Sequence, residues 1–81
     1  MHPEEIRRLI ERGLVGSRVE VSGDGRHFEA VVVYQGFTGK GRIAQHRMVY
    51  AALGDSFATD TLHALALRTF TPDQWERAGA G

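Results

Sequence analysis

The sequence has 81 residues, none of them cysteine, and its 10 Lys and Arg balance its 10 Asp and Glu. This length allows one small domain and excludes a two-domain enzyme, while the lack of thiols excludes cysteine nucleophiles and iron–sulfur sites built by this chain alone. A net charge of zero argues against bulk electrostatic coating of nucleic acid, and no apolar run approaches the ~20 residues that span a bilayer. We expect a single cytoplasmic domain over residues 1–81, with its ordered core at about 3–76 and no membrane contact.

The first half of the chain predicts a helix followed by a β-hairpin. Apolar residues over 6–14 recur at helical spacing, and Pro3 precedes two acidic residues that suit the first turn of a helix. The alternation over residues 17–21 predicts a strand with one solvent-exposed face, and the valine-rich run over 27–34 predicts a more central strand. The glycine-rich segment 23–25 is the turn that joins them.

The second half begins with a glycine-rich loop that leads into a second helix, predicted over residues 42–53. The apolar face of this helix is predicted at i, i+4, i+7 and i+8 by Ala44, Met48, Ala51 and Ala52. Residues 56–61 are ambiguous between a loop and a short helical turn.

A third strand is predicted over residues 63–70, with Leu65 and Leu67 on the same face as His63. The sequence Thr-Pro-Asp-Gln over 71–74 is a capping box with proline at the first helical position, so a short final helix follows. Because a helix joins the second and third strands, these two are predicted to be parallel, whereas the hairpin is antiparallel. The order αββααβα gives a three-stranded mixed sheet with helices packed on one face, which is an α+β two-layer sandwich.

One segment of this neutral chain is locally basic. Residues 30–54 contain no acid, and within them Lys40, Arg42 and Arg47 surround His46. These side chains are suited to phosphate contacts, but they also suit an ordinary solvated helix face. The residues alone leave both interpretations open.

The motifs in the same region give weak signals of chemistry. Residues 39–44 fit the G-x-G-x-x-A pattern of dinucleotide binding, yet one crossover and three strands are too few for a doubly wound nucleotide domain. Residues 36–39 match the GXXG loop of KH domains, but that loop joins two helices and this one follows a strand. Because the serines lack a nucleophile-elbow context and the carboxylates are scattered, we expect no enzymatic activity.

Histidine is the strongest metal ligand that a chain without cysteine offers. His27 and His63 each stand at the start of a predicted strand, and neighbouring strand ends in a small sheet lie close together. A histidine at a strand end is more often structural than a metal ligand, so the pattern alone leaves both roles open.

Three segments in this order resemble the BolA family, and its short IbaG-like branch in particular. They are residues 37–50, with Phe-Thr-Gly-Lys and His-Arg-Met-Val-Tyr, residues 62–65, Leu-His-Ala-Leu, and residues 69–75, Thr-Phe-Thr-Pro-Asp-Gln-Trp. Residues 23–28, Gly-Asp-Gly-Arg-His-Phe, agree with that branch. The resemblance covers about residues 3–76 and implies the class II KH-like αββααβα fold of the family.

The resemblance implies an adaptor in iron–sulfur metabolism, because BolA-like proteins pair with monothiol glutaredoxins. The pair shares a [2Fe-2S] cluster whose further ligand is glutathione, and the isolated BolA-like chain carries no cofactor. The invariant histidine of the family corresponds to His63, which is the first expected cluster ligand. In many members the second ligand is a Cys or His in the loop between the first two strands, where this chain has Asp24, and His27 is the nearest imidazole. We therefore expect His63 and His27 as the metal ligands.

The resemblance also implies an alternative, because BolA proteins have been described as DNA-binding transcriptional regulators. Lys40, Arg42, His46 and Arg47 would then contact phosphates. Gln45 stands where a basic residue is common in the family, and we expect this difference to weaken the basic segment. A third alternative is a partner protein that binds apo-glutaredoxin without metal, and a weak homodimer is also left open.

Overall fold

The structure, a computed structural model, describes residues 2–54 and 64–79. Within these ranges the helices are α1 (Pro3–Gly13), α2 (Arg42–Leu53) and α3 (Pro72–Arg77), and the strands are β1 (Arg18–Gly23), β2 (Phe28–Val33) and β3 (Leu65–Phe70). The ambiguous segment 56–61 and the predicted first residue of the third strand, His63, lie outside the described residues. None of the helices described here is long and apolar enough to cross a lipid bilayer.

The sheet has the predicted mixed topology. Its strand order is β1-β2-β3, with β1 antiparallel to β2 and β2 parallel to β3. The hairpin register places Val19 opposite Val32, and the parallel register places Phe28 beside Leu65. β2 is therefore the central strand, as its valine-rich sequence predicts.

The core lies between one face of this sheet and the first two helices, so the α+β two-layer architecture is confirmed. β1 alternates as predicted, with Val19 buried and its neighbours Arg18 and Glu20 exposed. The buried cluster draws on α1, all three strands, the turn before α2, and α2 itself. Its members are Ile6, Ile10, Leu14, Val19, Phe28, Ala30, Val32, Phe37, Val49, Leu53 and Leu65.

α1 approaches α2 at a position that requires glycine. The helix begins with Pro3 and buries Ile6 and Ile10 completely. At its last residue, a Cβ added to Gly13 would lie 2.5 Å from the Cβ of Ala52, which is closer than real Cβ contacts. The missing side chain thus allows the two helices that cover the sheet to pack closely.

The bounds predicted for α2 are confirmed, and its predicted apolar face is confirmed in part. Met48 and Ala52 are half-buried against the core, whereas Ala44 and Ala51 are exposed. The buried positions are Gln45, Val49 and Leu53, at i, i+4 and i+8. Alanine counts as apolar in a periodicity pattern, yet burying the larger Val and Leu side chains removes more apolar surface from water. The buried face of the helix is therefore the one that carries the larger side chains.

The loop before α2 and the end of the chain also take a defined form. Gln35–Phe37 is a 3-10 turn that the sequence analysis did not predict, and it buries Phe37 fully in the core. At the start of α3, the Oγ1 of Thr71 accepts from the N–H of Gln74 at 3.1 Å, and the Gln74 Oε1 accepts from the Thr71 N–H at 2.9 Å. The predicted capping box is therefore confirmed.

Candidate functional site

The β1–β2 hairpin ends in a turn that one carboxylate organises. Asp24 Oδ1 accepts hydrogen bonds from the backbone N–H groups of Arg26, at 2.8 Å, and His27, at 2.9 Å. The backbone N–H of Asp24 donates in turn to the carbonyl of His27 at 3.2 Å. Gly25 has a φ of 94°, in the left-handed region that glycine adopts without steric cost. The sequence Asp-Gly-Arg-His therefore fixes the backbone of His27.

These hydrogen bonds also determine the charge of the turn. The backbone N–H of His27, followed by that of Arg26, holds the pKa of Asp24 below its ordinary value. The carboxylate therefore stays ionised at neutral pH and at mildly acidic pH. The turn that immediately precedes His27 therefore carries a negative charge.

A cleft of about 530 Å³ opens between this turn and the start of β3. Its lining includes Asp24, His27 and Glu29 from the hairpin and Ala64 from the segment that leads into β3. His27 is exposed, whereas Phe28, the next residue, is buried in the core. The N–H of Phe28 donates to the carbonyl of Ala64 at 2.8 Å and ties the two strand starts together. The exposed histidine thus lies beside the first described residue of the β3 segment.

His63, the other predicted cluster ligand, lies outside the described residues and directly precedes Ala64 in the chain. Among residues 2–54 and 64–79, no three His, Cys, Asp or Glu side chains lie close enough to hold a metal ion together. Of the two predicted ligands, the structure locates His27 at the cleft. The pairing of His27 with His63 stays a prediction.

A second concave surface runs along α2 and β3. Arg42 and His46 line one part of it, with a volume of about 310 Å³, together with residues 67–70 of β3. Lys40 and Arg42 line an adjoining part of about 470 Å³. Arg68 is the basic residue that β3 contributes. We call this surface, with its side chains Lys40, Arg42, His46 and Arg68, the basic groove.

The basic groove brings together three of the four residues that were predicted as phosphate contacts. Lys40, Arg42 and His46 line it, whereas Arg47 is exposed on α2 outside it. Arg68 was not predicted, because the alternation of a strand does not reveal which helix lies beside it. The basic surface therefore combines α2 with β3 rather than following one helix.

The charges of the basic groove lack counter-ions in the described part of the chain. The ion pairs found there all lie within α1 or α3. Partial burial, followed by the charge of Arg42, holds the pKa of His46 below its ordinary value. His46 is therefore mainly neutral at pH 7, and the positive charge of the groove comes from Lys40, Arg42 and Arg68.

Gln45 supports the basic groove from inside the protein. Its side chain is 5% exposed, its Nε2 donates to the carbonyl of Lys40 at 2.8 Å, and its Oε1 accepts from Thr69 Oγ1 at 2.7 Å. The prediction that Gln45 weakens the basic surface stays a prediction. The side chain is almost fully buried at the lining of the groove. It joins the loop before α2 to β3 and so holds the two walls of the groove together.

Comparison with known proteins places these features in a family. The sequence matches the family model described as BolA-like protein over residues 11–74. It is 34% identical over 77 residues to the acid stress protein IbaG of Escherichia coli strain K12, an alignment that covers 95% of this chain and 92% of IbaG. The structure is similar to that of a BolA protein homologue from Coxiella burnetii, with a TM-score of 0.83, 47% identity and coverage of 95% of this chain and 99% of the homologue.

A further relative has a different name. Over 55 residues the chain is 44% identical to the DNA-binding transcriptional regulator BolA of Escherichia coli strain K12. This alignment covers 68% of the chain and 51% of that regulator, so it concerns about half of the regulator's length. One relative is thus named for acid stress and another for transcriptional regulation.

Proposed function

Since the chain belongs to the BolA-like family, we propose that it binds a monothiol glutaredoxin and shares a [2Fe-2S] cluster with it. The complex acts in the trafficking of iron–sulfur clusters or in iron sensing, with the cluster as cargo. The observation that carries the proposal is the exposed His27 in a cleft that Ala64, the chain neighbour of His63, also lines.

The donor set of this chain fits shared coordination of a cluster. The sequence contains no cysteine, so this chain offers imidazole nitrogen and carboxylate oxygen only. The thiolates that iron–sulfur clusters require must then come from the glutaredoxin and from glutathione. His63 is the first ligand from this chain and His27 the second. Imidazole in place of thiolate raises the reduction potential of a cluster, which suits transfer or sensing.

Asp24 has a positioning role in this proposal. Its Oδ1 already accepts two backbone hydrogen bonds within the turn, one of them from the N–H of His27. A carboxylate used in this way holds the loop that presents the imidazole. We therefore assign the ligand role to His27 and the support of the loop to Asp24.

Reconstitution tests the proposal directly. The protein is mixed with the monothiol glutaredoxin of its organism, glutathione, iron and sulfide, and the particle mass and visible circular dichroism are measured together. We expect a one-to-one complex whose visible spectrum differs from that of the glutaredoxin homodimer. Failure to form a complex, both with cluster and without it, would contradict the proposal, and association without any change in spectrum would support a metal-free partner.

A second candidate function, DNA binding, is favoured by the basic groove and by the name of the BolA relative. Lys40, Arg42 and Arg47 would contact phosphates, with His46 beside them. Affinity for DNA should then fall steeply with salt, because phosphate contacts release counter-ions, and should not depend on iron. Binding that does not change with salt, or no binding at low salt, would exclude this function.

A further inference from the structure

β3 has an open edge within the described part of the chain. In the strand order β1-β2-β3, the strand pairs with β2 on one side only. The carbonyls of Ala64 and Phe70 accept from the N–H groups of Phe28 and Tyr34, so these residues direct their backbone toward β2. Because successive residues of a strand direct their backbone groups to opposite sides, Leu67 and Thr69 direct theirs toward the open edge. An open edge of this kind is a template for another extended chain.

The basic groove borders this open edge. Arg42 and His46 line the groove together with residues 67–70, which include Arg68. Neither arginine forms an ion pair with a carboxylate among the described residues. Leu67 and Phe70 are half-buried and leave apolar surface beside the charges. The edge thus offers backbone hydrogen-bonding groups, positive charge and apolar surface along one strand.

We propose that the basic groove is a docking site for an acidic segment of a partner protein, which binds in extended conformation beside β3 as a fourth strand. Main-chain hydrogen bonds to Leu67 and Thr69 provide the pairing, as in other cases of strand addition. Carboxylates on the face of the segment that lies toward α2 meet Arg42 and Lys40, and its alternate apolar side chains, on the opposite face, contact Phe70. This site does not depend on the cluster or on the histidines of the cleft.

An acidic peptide fits this edge better than a nucleic acid or a second copy of the chain. An extended peptide offers N–H donors and carbonyl acceptors at the spacing of a strand edge, whereas a nucleic acid carries its donors on the bases and, in RNA, on the 2′-hydroxyls, which do not repeat at that spacing. Pairing of β3 with the β3 of a second copy would bring the Arg42 and Arg68 side chains of both chains near each other, and like charges across strands are destabilising.

Amide hydrogen exchange measured by NMR tests strand addition at the level of single residues. The probe is a synthetic peptide of about ten residues in which glutamate alternates with valine. At a peptide concentration about ten times the dissociation constant, exchange at the Leu67 and Thr69 amides should slow about tenfold. The amides of Arg68 and Phe70, which face β2, serve as internal controls. A peptide in which two valines are replaced by proline keeps its charge but lacks two backbone N–H donors, so it should bind more weakly.

Charge substitutions test the second half of the proposal. Lys40→Ala and Arg42→Ala should each weaken peptide binding about 2- to 5-fold, the range of exposed ion pairs. Arg47→Ala is the matched control, because Arg47 is exposed on the same helix outside the groove, and it should leave the affinity unchanged. A lysine-valine peptide of the same length should not bind.

Four results would overturn the proposal. They are a lack of binding at low salt, binding without protection of Leu67 and Thr69, an effect of Arg47→Ala equal to that of Arg42→Ala, and protection that rises with protein concentration in the absence of peptide. The third result would favour a diffuse phosphate-binding surface, and the fourth would assign the edge to a second copy of the chain. None of them affects the glutaredoxin complex, so this proposal and the proposed function fail separately.

Discussion

The cleft and the basic groove lie along different halves of β3 and are built in different ways. In the cleft, hydrogen bonds to Asp24 fix the backbone that carries one exposed imidazole, His27. In the groove, permanent positive charges lie beside an open strand edge without counter-ions among the described residues. The cleft offers few ligands in a fixed position, which suits a metal site that a partner protein completes. The groove offers positive charges without counter-ions, which suits the binding of an anionic chain. Because the cleft uses residues 64–66 and the groove residues 67–70, substitutions can separate the two sites.

The largest expected effect is on the visible spectrum of the cluster, which should respond to a substitution at the cleft and not to one in the groove. Replacing His63 by Ala should change the visible spectrum of the mixed complex, because one of its two expected imidazole ligands is lost. The heterodimer itself should largely persist, since shape complementarity holds two surfaces together without metal. His46→Ala, which removes an imidazole from the groove, is the control and should leave the spectrum unchanged. An unchanged spectrum for His63→Ala would remove His63 from the ligands.

The next largest effect concerns the support of the groove. Gln45→Leu keeps a similar volume but leaves the Lys40 carbonyl and the Thr69 hydroxyl without the partner described here. We expect the free energy of unfolding to fall by about 1–3 kcal/mol, measured by denaturant titration. Gln35→Leu, at an exposed position, is the control and should change stability little. The cluster spectrum should survive Gln45→Leu, and its loss would show that cleft and groove are coupled.

A third prediction concerns the turn of the cleft. Asp24→Ala removes the oxygen that accepts from the N–H groups of Arg26 and His27, so exchange of these two amides should become faster. Asp24→Asn keeps an acceptor oxygen and should retain most of the protection. The cluster complex of Asp24→Ala should form more weakly than that of Asp24→Asn, as measured by titration of the visible signal. Equal complexes for the two variants would contradict a positioning role for Asp24.

The same turn should respond to acid. Because the pKa of Asp24 is lowered in the folded protein, its contribution to stability is present above the unfolded pKa of about 3.9 and is lost as the pH falls through the lower folded value. The protection of the His27 amide against exchange should therefore stay constant at pH 5 and above, where the carboxylate is ionised. It should fall at more acidic pH as the carboxylate is protonated. Asp24→Asn should lose this acid dependence, since its side chain does not titrate.

The smallest expected effect tests the electrostatics of the groove. Arg42→Ala should raise the pKa of His46 toward its ordinary value, because the charge of Arg42 opposes protonation of this imidazole. Arg47→Ala is the control and should leave the pKa of His46 in place. NMR titration of the imidazole measures both. A shift of the pKa with Arg47→Ala and none with Arg42→Ala would contradict the arrangement of the groove.

Much of the fold follows from local sequence. The periodicity of α1, the alternation in β1, the valine run of β2 and the capping box at Thr71 each predict an element that the structure contains. Each of these signals is a pattern among residues a few positions apart in the chain, so it can be read from the sequence alone. The parallel pairing of β2 with β3 also follows, because a helix separates them and crossover connections join parallel strands.

The features that sequence reasoning missed depend on distant partners. Gln45 is buried because Thr69, 24 residues away, donates to it, and no local pattern contains that contact. Arg68 joins the groove because β3 happens to lie beside α2, while Arg47 is left outside it. His27 could be selected from its place next to a strand start, but its turn depends on the single oxygen of Asp24.

The most direct test of the central claim asks whether an imidazole of this chain binds the cluster. The protein is prepared with isotopically labelled histidine nitrogen and assembled with unlabelled glutaredoxin, glutathione and cluster. Pulsed electron paramagnetic resonance of the reduced complex then detects labelled nitrogen bound to iron. The account predicts a hyperfine coupling to the label that is reduced in the His63→Ala variant and absent when His27 is also replaced by Ala. A complex that contains the cluster without any such coupling would contradict it.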